Sequence, residues 1–191
     1  MRPNVSSLVK PASGRLGYSI DNSSDRTLEK QVSNIEIRQA TAEDSALILR
    51  FITDLAIYEK AEHEVLASES DIRQSLFGTD SNTSAVMCMI DNEAVGYAVY
   101  FFNYSTWLGK HGLYLEDLYV SPEHRGAGAG IAALRHLAKI AVAKGCGRFE
   151  WSVLDWNEPA IKFYESIGAK PQNEWVGYRL AGNALNALAE S

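Results

Sequence analysis

Three groups of residues in this sequence have the types and spacing to do chemistry. The first is the run Arg125-Gly126-Ala127-Gly128-Ala129-Gly130, between an apolar stretch at 113–120 and a helix-like stretch at 131–143. Glycines at alternate positions leave backbone N–H groups bare and let a ligand come close. A helix start adds free N–H donors and a partial positive charge. With an arginine directly before the first glycine, the run is an anion cradle suited to a pyrophosphate. The second group is the adjacent pair Glu116 and Asp117, which interrupts the apolar run Leu113-Tyr114-Leu115 and Leu118-Tyr119-Val120. Neighbouring strand residues point to opposite faces. One of the two acids is therefore expected in the interior or a cleft, where desolvation raises its proton affinity and makes it a better base. The third is Tyr164, a phenol able to give a proton to a leaving group when geometry helps.

The glycine spacing separates phosphate ligands. A dinucleotide fingerprint reads G-x-G-x-x-G, whereas the third glycine here comes one residue early. The Gly-Lys-Ser/Thr of a nucleotide triphosphatase loop is missing. A dinucleotide fold also needs several βα units after its glycine turn, and few residues follow Gly130. Asp155, placed about where a ribose-binding acid falls, keeps a dinucleotide oxidoreductase as a rival reading.

The R-G-x-G-x-G pattern resembles the acetyl-CoA pyrophosphate loop of the GNAT superfamily of N-acetyltransferases. Residues 113–120 are similar to the family strand that carries the pantetheine arm. Asp155-Trp156-Asn157-Glu158-Pro159-Ala160-Ile161-Lys162-Phe163-Tyr164-Glu165-Ser166-Ile167-Gly168-Ala169 resembles the family's N-x-x-A…F-Y-x-x-x-G segment. Within the superfamily the resemblance is to diamine, spermidine/spermine and thialysine acetyltransferases. It is carried by Leu55-Ala56-Ile57-Tyr58-Glu59-Lys60, by 100–110, by 113–120 and by Trp156-Asn157-Glu158-Pro159.

The resemblance implies an α/β (α+β) GNAT fold, a mixed central sheet with splayed parallel strands flanked by helices. It implies an acetyl-CoA-dependent N-acetyltransferase acting on a small primary amine, a diamine, polyamine or amino-acid side-chain amine, by direct attack in a ternary complex. Cofactor contacts are implied at Leu118, Tyr119, Val120, Arg125, Gly126, Ala127, Gly128, Ala129, Gly130, Ile131, Asn157 and Tyr164. Glu116 is implied as base, acting through water, with Asp117 orienting a neighbour. Tyr164 is implied as the acid that protonates the departing thiolate. Tyr58, Glu59, Trp107, Glu116 and Trp151 align with substrate-lining positions, where aromatic faces and carboxylates suit an ammonium. One departure stands out. Polyamine enzymes carry an acid two residues before the tryptophan of Tyr-x-x-Trp, and this chain has Ser105, which favours a shorter diamine or an amino-acid side-chain amine. Late in the chain, Val176 precedes Gly177-Tyr178-Arg179 where those enzymes place a glutamate, and Glu174 is out of register. Two other readings belong to the same fold: a non-catalytic acyl-CoA sensor and a protein N-acetyltransferase.

The same residues also have packing explanations. Ala160, Phe163, Tyr164 and Ile167 share one helical stripe, which suits a core tyrosine. Trp107 and Trp151 suit ordinary apolar packing. Asn157 suits a helix cap, a role compatible with touching a cofactor.

Elements that position these groups are legible in the pattern. Ile35-Glu36-Ile37-Arg38 alternates as a first strand. Thr41 opens a helix with apolar residues at 47, 48, 51, 52 and 55, and 68–77 reads as a second helix. Residues 85–103 read as a hairpin around Asp91-Asn92-Glu93. The helix after the glycines buries Ile131, Leu134, Leu137, Ala138 and Ala141 and ends at Gly145-Cys146-Gly147. A strand at 149–154, a short helix capped by Asn157, a strand at 175–180 and a final helix at 184–189 complete the chain.

With 191 residues, 46% of them hydrophobic, the chain can bury one core. The expected organisation is a flexible Ser- and Asn-rich extension over 1–33 and a GNAT domain over 34–191. A net charge of −6 argues against non-specific nucleic-acid binding. No apolar run reaches membrane-spanning length. Two cysteines and four histidines show neither a disulfide framework nor metal-ligand spacing. No metal is expected, the expected location is cytoplasmic, and the resemblance implies a homodimer.

Overall fold

The computed structural model describes residues 34–191. The extension expected over 1–33 lies outside the described residues. In chain order come β1 (Ile35–Gln39), α1 (Ser45–Tyr58), α2 (Glu69–Phe77), β2 (Thr83–Ile90), β3 (Glu93–Ser105), β4 (Lys110–Val120), α3 (Ala129–Ala143), β5 (Arg148–Trp151), α4 (Glu158–Ser166) and α5 (Gly182–Ala189). The strands form one five-stranded sheet in the order β1-β2-β3-β4-β5. The first three pairings are antiparallel and β4–β5 is parallel.

Local chemistry sets these elements. Asp91 and Asn92 take φ of 48° and 69°, the left-handed pair that a two-residue hairpin turn needs. Before α1, Asp44 turns its carboxylate back to accept from the Thr41 amide at 2.8 Å and from both Arg38 terminal nitrogens at 2.7 and 2.8 Å. That clamps β1 to the start of α1. The bonds come from Asp44 rather than from Thr41 acting as the cap, because a short 3₁₀ turn at Ala42–Asp44 precedes the α-helix.

Helices cover both sheet faces. Ile48 and Phe51 of α1 and Ile72 of α2 pack on Met87, Tyr97, Val99 and Tyr119. On the opposite face Leu134, Leu137 and Ala141 of α3 pack on Val86, Ala98, Tyr100, Leu113 and Leu115, and Phe163 and Tyr164 of α4 extend that layer. Along α3, Ala133 is buried whereas Ile131 and Ala138 are half-buried, so the apolar stripe is turned slightly from the one expected.

One expected element does not form. Residues 175–180 have strand-like composition but adopt no strand, and residues 170–191 are exposed throughout. A strand needs a neighbouring backbone to bond. Among the described residues β5 pairs only with β4, and 175–180 do not come to its free edge. No helix among the described residues is long and apolar enough to cross a membrane.

Candidate active site

A one-residue irregularity in β4 organises the site. Tyr100 pairs with Leu115 and Val99 with Asp117, so Glu116 is the extra residue of a β-bulge. Side chains alternate along a strand, and one inserted residue reverses the faces beyond it. Leu113 and Leu115 accordingly face α3. Tyr119 faces α1, as does Asp117, which pairs with Val99 of that layer. Glu116 is left exposed.

Asp117 is received there by a hydroxyl. Tyr97 Oη donates to Asp117 Oδ2 at 2.9 Å. Tyr97 is fully buried and stacks on Phe51, with ring centroids 6.0 Å apart and planes 12° from parallel. Burial pushes the Asp117 carboxyl up, while the Tyr97 bond pulls against that shift. Glu59, the C-cap just past α1, is also pushed up, first by burial and then by the charge of Asp117. Among the described residues no ion pair reaches either carboxylate. Burial and like charge both favour protonation here.

Beyond the bulge, β4 and β5 part company. Their pairing runs only from Gly112–Arg148 to Leu115–Trp151. After that point β4 continues to Val120, while 152–157 leaves the sheet as a loop. Tyr164 of α4 packs beside this parting, its ring 5.1 Å from Trp151 and 5.4 Å from Phe163. Its hydroxyl makes no hydrogen bond among the described residues, and burial pushes the phenol up, keeping it protonated to higher pH.

At the far end of β4 lies the glycine loop. Gly126 and Gly128 take φ of 80° and 104°, which side-chain-bearing residues resist. Gly128 is the N-cap of α3, and the first helical bond runs from the Ala132 amide to Gly128 O. The amides of Ala129, Gly130 and Ile131 therefore have no helical acceptor. Nothing lies within 4 Å of where a Cβ on Gly130 would stand. Arg125 turns away from the loop: its Nε donates to Val120 O at 3.0 Å, and its guanidinium lies over Tyr58 and Tyr119 at 4.9 and 5.9 Å.

Tyr58, the last residue of α1, bridges to α4. Its hydroxyl donates to Asn157 Oδ1 at 3.2 Å, and its ring lies 5.9 Å from Trp156. Asn157 Oδ1 also caps α4 by accepting from the Ala160 amide at 3.4 Å. An open cleft of about 630 Å³ runs between α1 and 119–125, lined by Arg50, Asp54, Tyr58, Tyr119, Glu123 and Arg125 among others.

The sequence pattern of the Acetyltransferase (GNAT) family matches residues 50–169, which hold the bulge, the parted strands, the glycine loop and Tyr164. The chain belongs to the GNAT family. It is an N-acetyltransferase. A thialysine N-epsilon-acetyltransferase of Mus musculus is 37% identical, covering 83% of this chain and 99% of that one. An L-ornithine N5-acetyltransferase of Arabidopsis thaliana is 30% identical over 80% of this chain and 86% of its own. Among solved structures, an integron cassette protein of Vibrio cholerae superposes with a TM-score of 0.69 at 31% identity, covering 82% of this chain and 98% of that one.

Within this GNAT chain the sequence-derived residues do not all converge. Tyr58, Arg125 and Asn157 are linked around the end of α1. Trp151 packs with Phe149 and Tyr164 in the α3-side layer. Trp107 does not join them. It sits in the β3–β4 turn, 86% exposed, with its ring 6.2 Å from Trp175. From Lys110 at that turn to Glu116 is about 20 Å at the usual strand rise. Ser105 is buried, and its hydroxyl accepts from the Leu108 amide at 3.3 Å, so this position ties the turn. Tyr97 was invisible to sequence reasoning, because its partner Asp117 lies twenty positions away and only the bulged register brings them together.

Proposed function

We propose that the enzyme carries acetyl from acetyl-CoA to the primary amine of a short diamine or an amino-acid side chain. The named activities of the thialysine and ornithine relatives support that acceptor class. The observation that carries the reading is the parting of β4 from β5 at the Glu116 bulge, with helix-start amides at the end of β4. The residues present fit the donor. The amides of residues 129–131 and the space beside Gly130 would hold its diphosphate, and Leu118, Tyr119 and Val120 would flank its pantetheine arm. When bound, acetyl-CoA supplies the acyl group as a thioester.

The chain's own residues manage the protons. An alkyl ammonium near pKa 10.4 must lose a proton before it attacks, at a cost of about 4–5 kcal/mol near pH 7. Glu59 and Asp117 have raised proton affinity, so we assign the proton to this pair. Exposed Glu116 becomes the contact for a second cationic group of the substrate, in place of the base that the family resemblance implies. Tyr164, held protonated by burial, donates to the leaving thiolate. No metal enters this reading.

We also propose a cytoplasmic homodimer of domains spanning 34–191. Both cysteines are free thiols, and Trp107, Trp175 and Tyr178 are 86%, 68% and 96% exposed, an aromatic surface that a second copy would cover. Sedimentation gives the assembly directly. Crystals soaked with coenzyme A test the site: the diphosphate is expected on the amides of 126–131, and phosphates lodged elsewhere contradict the reading.

A further inference from the structure

We infer that Tyr58 is a positioning residue for the donor: by donating to Asn157 it holds that carboxamide in the orientation that offers its N–H groups to a carbonyl of the pantetheine arm. The inference rests on the reading above, in which the arm lies where β4 and β5 part.

The orientation of Asn157 is settled by its neighbours. A carboxamide has one oxygen, which accepts, and one nitrogen, which donates twice. The Ala160 amide can only donate, and it lies 3.4 Å from Asn157 Oδ1. The Tyr58 hydroxyl donates to the same oxygen at 3.2 Å. Turning the group over would set Nδ2 against the Ala160 N–H, donor facing donor. The oxygen is therefore committed to the protein. Both Nδ2 hydrogens are left without an acceptor among the described residues. Asn157 is half-buried, yet its Nδ2 is not sealed from solvent. A few fixed polar groups are what orient a ligand in a mostly apolar site. The amide carbonyls of the arm are acceptors of the kind this nitrogen lacks.

The place of the group follows from what Tyr58 touches. Asn157 belongs to the segment that leaves the sheet after β5. The Arg125 guanidinium lies over the Tyr58 ring at 4.9 Å and over the Tyr119 ring of β4 at 5.9 Å. Asn157, Tyr58, Arg125 and Tyr119 thus form one chain of contacts across the opening, from the loop after β5 to the continuing β4. The Tyr58 ring is also held by Trp156 at 5.9 Å, and Lys60 Nζ lies over that indole at 5.9 Å. Phenylalanine at position 58 keeps these ring contacts and deletes only the hydroxyl. The Ala160 bond that remains is long for an N–H···O bond, so the carboxamide then turns more freely. Tyr58 acts on the donor in this way, rather than on the amine as the family resemblance implies.

The test is calorimetry with coenzyme A on the wild type, Tyr58→Phe, Asn157→Ser and the double variant. Serine keeps a capping oxygen, adds no charge and removes the N–H groups. Tyr58→Phe is expected to weaken coenzyme A binding about 3- to 10-fold, the size of one neutral hydrogen bond. Asn157→Ser should weaken it at least as much, and adding Tyr58→Phe to Asn157→Ser should change nothing more. In steady state the KM for acetyl-CoA should rise by a similar factor, with kcat and the KM for the amine little changed. The side-chain amide signals of Asn157, identified by their loss in Asn157→Ser, should shift when coenzyme A is added and shift less in Tyr58→Phe. Wild-type affinity in Tyr58→Phe, additive losses in the double variant, or amide signals that ignore coenzyme A overturn the inference. A rise confined to the KM for the amine overturns it too and returns Tyr58 to the acceptor. If the wild type takes up no coenzyme A, the reading beneath it fails instead.

Discussion

The Tyr58 hydroxyl lies 3.2 Å from Asn157 Oδ1, and that bond joins the end of α1 to the cap of α4 across 99 positions of sequence. One oxygen thus serves two donors, the tyrosine and the Ala160 amide. Deleting the tyrosine hydroxyl removes one of them, and deleting the asparagine removes both. Tyr58→Phe is expected to cost about 0.5–1 kcal/mol, the lower range for a net hydrogen bond at an exposed position. Asn157→Ala should cost about 1–2 kcal/mol, because the helix cap goes too. Urea midpoints compare the two. An equal cost would show that the cap contributes nothing beyond the bridge.

Tyr164→Phe tests the proposed acid. Turnover should fall by about 10- to 10⁴-fold, the range for a general acid, with acetyl-CoA affinity little changed. The ring keeps its contacts with Trp151 and Phe163, so the melting temperature should hold. Unaltered turnover removes Tyr164 from the mechanism and leaves it a packing residue.

Glu116→Gln separates cation binding from base chemistry. Glu116 is exposed on the bulge, and its removal should raise KM for the amine about 3- to 10-fold, as loss of an uncovered charged contact of roughly 1 kcal/mol would. The shape of the pH profile should stay. A displaced profile returns the base to Glu116.

Gly130→Ala probes the loop without straining it. The position is helical, and no atom lies within 4 Å of the new methyl, so stability should hold or rise by up to about 1 kcal/mol. A diphosphate passing there would meet the methyl, and coenzyme A affinity should drop by about tenfold, or ~1.4 kcal/mol. Calorimetry reads both parts, and undiminished affinity places the diphosphate off this surface.

Asp44→Asn tests the clamp that sets α1. Arg38 beside it holds the Asp44 carboxyl below its ordinary value. The folded value is depressed, so the stabilisation is complete above the unfolded value of about 3.9 and is lost as pH falls through the folded one. The variant should lose about 1–3 kcal/mol near neutrality, less than for a fully buried pair because Arg38 is 34% exposed. Its melting temperature should also fall less steeply in acid. Parallel melting curves for the two proteins would contradict the assignment.

Much of this was legible in local sequence. The glycine loop announced itself because positive φ at Gly126 and Gly128 requires glycine, and Asn157 because helix caps are local. The bulge was not legible. In 113–120 two adjacent acids interrupt an apolar run, but nothing local says which residue is the extra one, and that emerges only from the register with β3. The inward acid of the Glu116–Asp117 pair therefore had to be left open, and Tyr97 had no visible partner. Residues 175–180 failed the other way: their composition suits a strand, but among the described residues they pair with no strand, and pairing is a long-range contact that composition does not specify.

The most direct measurement is steady-state thiol release from acetyl-CoA across a panel of amines, with lysine, thialysine, ornithine, short diamines, long polyamines and a peptide amine side by side. The account predicts release with short diamines or amino-acid side-chain amines and much less with long polyamines or the peptide. Acetyl-CoA that binds yet releases no thiol with any amine would contradict it.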